Sequence, residues 1–225
     1  MTTFQRARNE EQREIRRRAI LDVAAAMLTE MPVAQVSLNE LSRRVGLAKS
    51  NVLRYFESRE AVLLELLDVA LRAWLEHLDV ALADAVDADA PATERADRLA
   101  ATIATSLAEQ PVLCDLLGAQ AAVLERNVSP QIAAGYKHAA LANVDTMVGL
   151  VRRHLPELAE PAAFRFVAAA VLVTGAVWTH AQPSAAMLAA YEADPELAAL
   201  RLDFGSTLRE LLEVFLAGLL VRAAS

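Results

Sequence analysis

The chain carries a single cysteine, Cys114, so no internal disulfide framework can hold it together. A lone thiol suits a reducing compartment. Glycine is also scarce, with 7 in 225 residues. No glycine-rich phosphate loop or dinucleotide-binding fingerprint is present. The four histidines, His77, His138, His154 and His180, are scattered. None stands at a metal-binding spacing such as HExxH, and no nucleophile elbow occurs. A serine triad can be assembled from distant residues, but nothing points to one. The expectation is a protein that is not an enzyme, with no catalytic or metal-binding residues and no cofactor. The longest charge-free apolar stretch, between Arg165 and His180, is shorter than the ~20 residues of a membrane span. The polar N-terminus, MTTFQRARNEEQREIRRR, lacks the apolar core of a signal peptide. These features predict a cytoplasmic protein with no membrane association.

What the chain does have is helix-forming material. Hydrophobic residues make up 55% of it, enough for a sizeable core. Alanine and leucine dominate, and both favour helix. Apolar residues recur at three- and four-residue spacing rather than alternating, which predicts an all-α fold. No internal repeat and no long heptad run is present.

Charge divides the chain. Residues 1–59 hold 11 Lys and Arg against 7 Asp and Glu, whereas the remainder holds 11 against 22. A basic head on an acidic body is the asymmetry expected when one end touches a polyanion.

The head reads as three helices. The first runs from about Glu10 to Glu30, with Ile20, Val23, Ala24, Met27 and Leu28 on one face, and ends at Met31-Pro32. Ser37 to Glu40 forms a capping box opening a short helix through Arg44. Gly46 stops that helix, because glycine accepts the left-handed conformation. A third helix covers about Lys49 to Tyr55. Ser58 caps a long fourth helix from Arg59, with Glu60 in its first turn. Farther on, helices are expected at about Thr93–Glu109, from Pro111 to about Arg126, from Ser129-Pro130 to about His154, at about Ala162–Ala181 and at about Gly205–Ala223. Pro183 and Asp194-Pro195 mark short pieces between the last two.

The stretch LNELSRRVGLAKSNVLRYF fits a helix-turn-helix, two short helices crossing steeply at a tight turn. Leu41 and Val45 face the core from the first helix, and Leu47 and Val52 from the other side. Ser42 is small enough for close approach, and Gly46 makes the turn. Lys49, Ser50, Asn51 and Arg54 then point outward, and these types suit a major groove. Asn pairs two-pronged with adenine, and Arg or Lys with guanine.

Residues 16–64, through RRRAILDVAAAML, SLNELSRRVGLAKSNVLRYF and ESREAVLLELL, resemble the DNA-binding domain of the tetracycline-repressor (TetR) family of transcriptional regulators. The resemblance implies a three-helix DNA-binding domain at residues 1–58 and a larger helical ligand-binding and dimerisation domain at 59–225. Ser37 and Arg44 would touch phosphates, as would Tyr55 and Arg59. Lys49, Ser50, Asn51 and Arg54 would contribute base or backbone contacts. Arg6, Arg8 and Arg16 to Arg18 would extend onto the DNA backbone or minor groove. Two positions depart from many relatives, which carry Ser or Thr in place of Ala48 and Tyr in place of Leu53. Alanine supplies no side-chain cap.

So small a reader contacts one half-site, and a dimer reads two. The expected partners are therefore a palindromic double-stranded operator, a second copy of the chain and a small molecule. The helices near 162–181 and 205–223 are the expected dimer interface, through Phe166, Val167, Val171, Gly175, Leu212, Phe215, Leu216 and Leu219, with Gly218 permitting close approach. Polar or soft residues in apolar surroundings are candidate ligand contacts: Trp74, His77, Thr102, Gln120, Tyr136, Asn143, Met147, Thr174 and Trp178. Cys114 is either a packing residue or a redox sensor. The function implied is a ligand-responsive repressor. The alternative is a helix-turn-helix interaction module, which would bind DNA weakly and without sequence preference.

Overall fold

The computed structural model describes residues 3–224, with side chains from residue 10 onward. All the regular elements among them are helical. The described chain falls into two compact units.

The first unit runs to Val69 and includes Ala119–Lys137. Helix α1 spans Thr3–Glu30, starting well before the expected Glu10. Ile20, Ala24 and Met27 are fully buried, at the four- and three-residue spacing of one helix face. Pro32 breaks the helix, since the residue before a proline is pushed away from the α region. A single 3-10 turn, Val33–Gln35, leads to α2, Leu38–Val45. Ser37 opens α2 as expected, its Oγ accepting from Glu40 N at 3.2 Å. At the other end Gly46 adopts φ 72°. Gly46 N donates to Arg43 O and Leu47 N to Ser42 O, the paired bonds of a Schellman ending.

Helix α3 is a single turn, Lys49–Val52, shorter than the expected run to Tyr55. Ala48 gives it no side-chain cap. Ser58 Oγ accepts from Ala61 N at 3.1 Å and starts α4, Arg59–Ala85. Leu41, Val52 and Phe56 are buried with Leu63 and Leu67 of α4. Ser42 is buried too, its hydroxyl donating to Leu38 O of its own helix. A small side chain whose hydrogen bond stays within its own helix lets α2 and α3 close without an unsatisfied group.

The second unit comprises Ala70–Gly118 and the chain from His138 onward. It holds the rest of α4, then α5 (Ala92–Ala108) and α6 (Pro111–Ala119). The expected continuation of α6 to Arg126 is instead a π-turn at Gln120–Leu124, in the first unit. Helix α7 is Pro130–His154, α8 is Glu160–His180, and α9 (Ala185–Ala193) and α10 (Pro195–Ala198) fill the connection to α11, Phe204–Ala223. Helix α11 packs on α5 and α8. Arg95 is 8% exposed and donates from Nε to Ala90 O at 2.9 Å. It also donates to His154 O and pairs with Glu157, so one guanidinium ties two loops to the end of α7. Helix α8 meets the length and apolarity of a membrane span, with a mean hydropathy of 1.7. Its Ala163, Phe166, Val167, Ala170 and Val177 are buried within the fold, with 39% of its apolar window buried in all.

The expected dimer residues divide on burial. Phe166, Val167, Gly175, Leu212 and Leu216 are buried within the chain's own fold. They are core residues, because α5, α6, α8 and α11 need their inner faces for one another. Gly175 does allow a close approach, but to α6 of the same chain. A Cβ there would lie 3.0 Å from Leu117 O and 3.3 Å from Gly118 Cα. The apolar side chains that α8 and α11 turn outward are Phe164, Leu172, Val214 and Val221, with Leu172 74% exposed. Val171, Phe215 and Leu219 are half-buried between the two sets.

Backbone-to-backbone packing at Gly175 leaves no flexible neighbour to move aside. Gly175→Ala is expected to destabilise the protein by about 1–3 kcal/mol in urea unfolding. Gly149→Ala, on an α7 position with open space around it, is expected to stabilise by up to about 1 kcal/mol.

Candidate nucleic-acid interface

The one-turn helix α3 exposes Lys49, Ser50 and Asn51, and Arg54 follows exposed in the turn after it. Leu53 is 41% exposed between them. Val52 and Phe56, at four-residue spacing, are buried and hold the other face down. One side of a short, well-seated element therefore presents an ammonium, a hydroxyl, a carboxamide and a guanidinium together. Their donor and acceptor inventory matches base edges and phosphates. Ser37 is exposed at the start of α2, and Tyr55 is half-buried beside α3.

The arginines outside α3 behave differently from one another. Arg44 is half-buried between two carboxylates, Nη1 lying 2.7 Å from Glu30 and Nε 2.8 Å from Glu40. Arg59 donates from Nη1 to Val36 O at 2.8 Å, with Nε 3.3 Å from Glu60. Both sequence-expected phosphate contacts are thus engaged inside the unit, bracing α1 against α2 and α4 against the turn before Ser37. Arg17 is engaged as well, through Tyr55 O, Glu65 and the face of Phe56. Arg16 and Arg18 are exposed. The side chains of Arg6 and Arg8 lie outside the described residues.

The partner carboxylates Glu30, Glu40 and Glu65 were not among the sequence candidates. The pairing of Glu40 with Arg43 and Arg44 follows three- and four-residue helix spacing and is legible in sequence. The pairing of Arg17 with Glu65 spans 48 residues and is not. Glu57 is another case, its carboxylate accepting from Ser129 N at 2.6 Å and binding the start of α7 to the turn after α3.

The candidate ligand residues are distributed between the units. Gln120 and Tyr136 belong to the first. Gln120 donates to Glu125 at 2.8 Å, and Tyr136 is buried, its hydroxyl held protonated by burial and by Glu125 and Asp68. The other seven lie in the second unit. Thr102 lines an open groove of about 350 Å³ between α4 and α5, with Ala81, Ala85, Thr105 and Ser106. Trp74 is buried behind it and donates from Nε1 to Ser106 Oγ at 3.1 Å. Asn143 and Met147 are buried on α7, and Thr174 on α8 donates to Ala170 O. Trp178 meets Phe204 edge-on at 5.1 Å, and His77 faces solvent.

Cys114 is fully buried and donates to Leu107 O at 3.3 Å. Burial, with Asp115 adding to it, pushes its thiol up to about 12. A thiol needs its thiolate form to react, so the packing reading holds over the redox one. Cys114 is expected to resist iodoacetamide at pH 8 in the folded protein and to be alkylated on unfolding, as followed by mass spectrometry. Glu40 sits at the other extreme, its carboxyl lowered from 4.5 to about 2 by hydrogen bonds from Arg43 and Arg44. A depressed carboxylate stabilises the fold above its ordinary range and loses that contribution as pH falls toward the folded value. Thermal unfolding of Glu40→Gln between pH 6 and 2 is expected to lose part of the wild-type acid sensitivity below about 4.5.

Comparison with known proteins places this geometry in a family. Residues 68–223 match the profile of tetracyclin repressor-like C-terminal domains. Residues 20–66 match the profile of bacterial regulatory proteins of the tetR family. An uncharacterised HTH-type transcriptional regulator of Mycobacterium tuberculosis strain H37Rv is 32% identical over 88 residues, 39% of this chain and 40% of the relative. The chain thus spans about two fifths of the length of the curated relatives it matches. Among solved structures, a possible TetR family regulator from Streptomyces coelicolor A3(2) superposes with a TM-score of 0.60 at 17% identity, covering 93% of this chain and 100% of that one. The regulator FadR from Bacillus subtilis, crystallised with stearoyl-CoA, gives 0.55 at 14% identity, covering 89% and 97%. These structures share the fold, and the two profiles together cover nearly the whole length, with the helix-turn-helix inside the match at residues 20–66. The chain belongs to the tetracycline-repressor family of DNA-binding transcriptional regulators.

Proposed function

We propose that this protein is a dimeric, ligand-responsive repressor that leaves a palindromic operator when a small molecule binds its C-terminal body. The observation that carries the reading is the exposed set Lys49, Ser50 and Asn51 on a one-turn helix and Arg54 in the turn after it, seated by Val52 and Phe56. Residues 1–58 act as the reader and 59–225 as the body. Asn51 and Arg54 read base edges, Lys49 and Ser50 add base or backbone contacts, and Ser37 and Tyr55 hold phosphates. Arg44 and Arg59 set the frame for these contacts through their internal pairs.

Two copies are needed to read both half-sites of a palindrome. The outward apolar side chains of α8 and α11 suit an interface between them. Phe166, Ala169, Val214, Phe215, Gly218 and Leu219 line an open groove of about 310 Å³ on that face, flanked by Arg165 and Arg222. A ligand acts by binding one spacing of the two readers better than the other, and only such a difference moves the equilibrium.

Selection of bound duplexes from a random DNA pool tests the reading, followed by affinity against salt on the winner. An enriched inverted repeat supports it. Weak, salt-sensitive binding with no enriched sequence favours an interaction module instead. On the enriched duplex, Asn51→Ala is expected to relax base preference at one position per half-site, worth about 1–3 kcal/mol. Tyr55→Phe removes only a hydroxyl. It is expected to weaken operator and random duplex alike by about 1.5–3 kcal/mol in titrations, as for a hydrogen bond to a charged group.

A further inference from the structure

Helix α3 has four residues and no side-chain N-cap. A helix so short does not hold its own shape in water, where isolated helices below ~12–15 residues are marginal. The direction of Lys49, Ser50, Asn51 and Arg54 is therefore set by whatever fixes the two ends of α3. Gly46 and the turn before Ala48 fix the first. The second leaves the helix as a non-repeating turn, with Tyr55 N bonded to Val52 O and Phe56 N to the same carbonyl.

One side chain from another helix closes on that second end. Arg17, on α1, donates from Nη1 to Tyr55 O at 2.7 Å. Its guanidinium carbon lies 4.4 Å from the centre of the Phe56 ring. Its Nη2 pairs with Glu65 on α4, and both side chains are half-buried. The fork thus joins α1, the turn after α3 and α4 at one point. The planar guanidinium can donate along two directions while its face lies on an aromatic ring. A lysine ammonium has no such fixed fork.

We propose that Arg17 is a positioning residue for base reading, fixing the turn after α3 so that Asn51 and Arg54 meet the groove in one orientation, and is not itself a DNA contact. The proposal rests on the reading of α3 as the base-reading element. A positioning role and a phosphate role make opposite demands on salt. Arg17 engaged with Glu65 and Tyr55 O neutralises no phosphate, so its loss leaves the counterion term intact. What is lost is the alignment of base contacts, and with it the preference for operator over random sequence.

The test uses the full-length protein and duplexes enriched from a random pool by the wild type. Arg17→Lys keeps the charge and the aliphatic stem, and Glu65→Gln keeps an acceptor while removing the charge that orients the fork. Each variant is titrated on the enriched duplex and on a random duplex across a salt series. Amide hydrogen exchange at residues 53–57 is followed alongside. Arg17→Lys is expected to lower operator affinity roughly tenfold, about the discrimination of one base contact. Random-duplex affinity and salt slope should stay unchanged, while exchange at residues 53–57 rises and that of buried α1 and α4 amides does not. Glu65→Gln should move operator affinity and exchange in the same direction by less, and it carries the test if Arg17→Lys does not fold. Equal loss on operator and random duplex in Arg17→Lys, with exchange at residues 53–57 unchanged, would make Arg17 a phosphate contact through its fork and overturn the proposal. So would wild-type operator preference in both variants. A wild type that enriches no sequence sinks the base-reading assignment and this proposal together, whereas an enriched operator read equally well without Arg17 sinks the proposal alone.

Discussion

Four residues of helix make too few backbone hydrogen bonds to persist alone in water, yet the exposed polar set of this protein sits on a helix of that length. The reader is built around that constraint. Gly46 in the left-handed conformation turns the chain back on α2 and delivers the start of α3 at a fixed angle. The buried hydroxyl of Ser42 bonds within α2 and leaves room for the approach. Val52 and Phe56 are buried beneath the exposed face. Each of these removes one freedom from a segment that cannot order itself.

Arginine serves two ends in this unit, and its surroundings tell them apart. Arg54 is exposed beside α3, with charge to offer a polyanion. Arg17, Arg44 and Arg59 are drawn into the unit by carboxylates and backbone carbonyls. A guanidinium already paired with a carboxylate adds little net positive charge to the surface, so the basic head is less uniformly basic than its formal charge. Pairs this close to solvent add modestly to stability. Their larger effect is geometric, because Tyr55 O and Val36 O are carbonyls at the edges of the elements that the reader must present.

The body follows a different logic. Its helices bury alanine and leucine against one another and meet backbone to backbone where Gly175 faces Leu117 and Gly118. Arg95 supplies the buried polar fastening, with its guanidinium satisfied by two carbonyls and a carboxylate. A buried charge without such partners would be destabilising. Cys114 packs as a small apolar side chain with its proton retained.

Much of this is legible in the sequence, and the legible part has one physical character. Helix starts and stops are local events. Ser37, Ser58, Ser129, Pro32 and Gly46 act through their own or nearby backbone, so the residue type alone announces them. The all-α class and the helix-turn-helix followed from such signals and from apolar spacing. Tertiary structure decided what depends on distant partners. An arginine looks the same in sequence whether it meets Glu65 from 48 positions away or faces water. A helix as apolar as α8 gives no sign of which face its own chain will cover, and Phe166, Val167, Leu212 and Leu216 proved to be core while Leu172 and Val214 point outward. The stop of α3 at Val52 has the same origin, since the turn after it is held from α1. The sequence by itself determined the elements and their chemistry; which side chains they keep for one another was decided only when the helices came together, because burial and charge pairing are properties of neighbours that the chain order does not name.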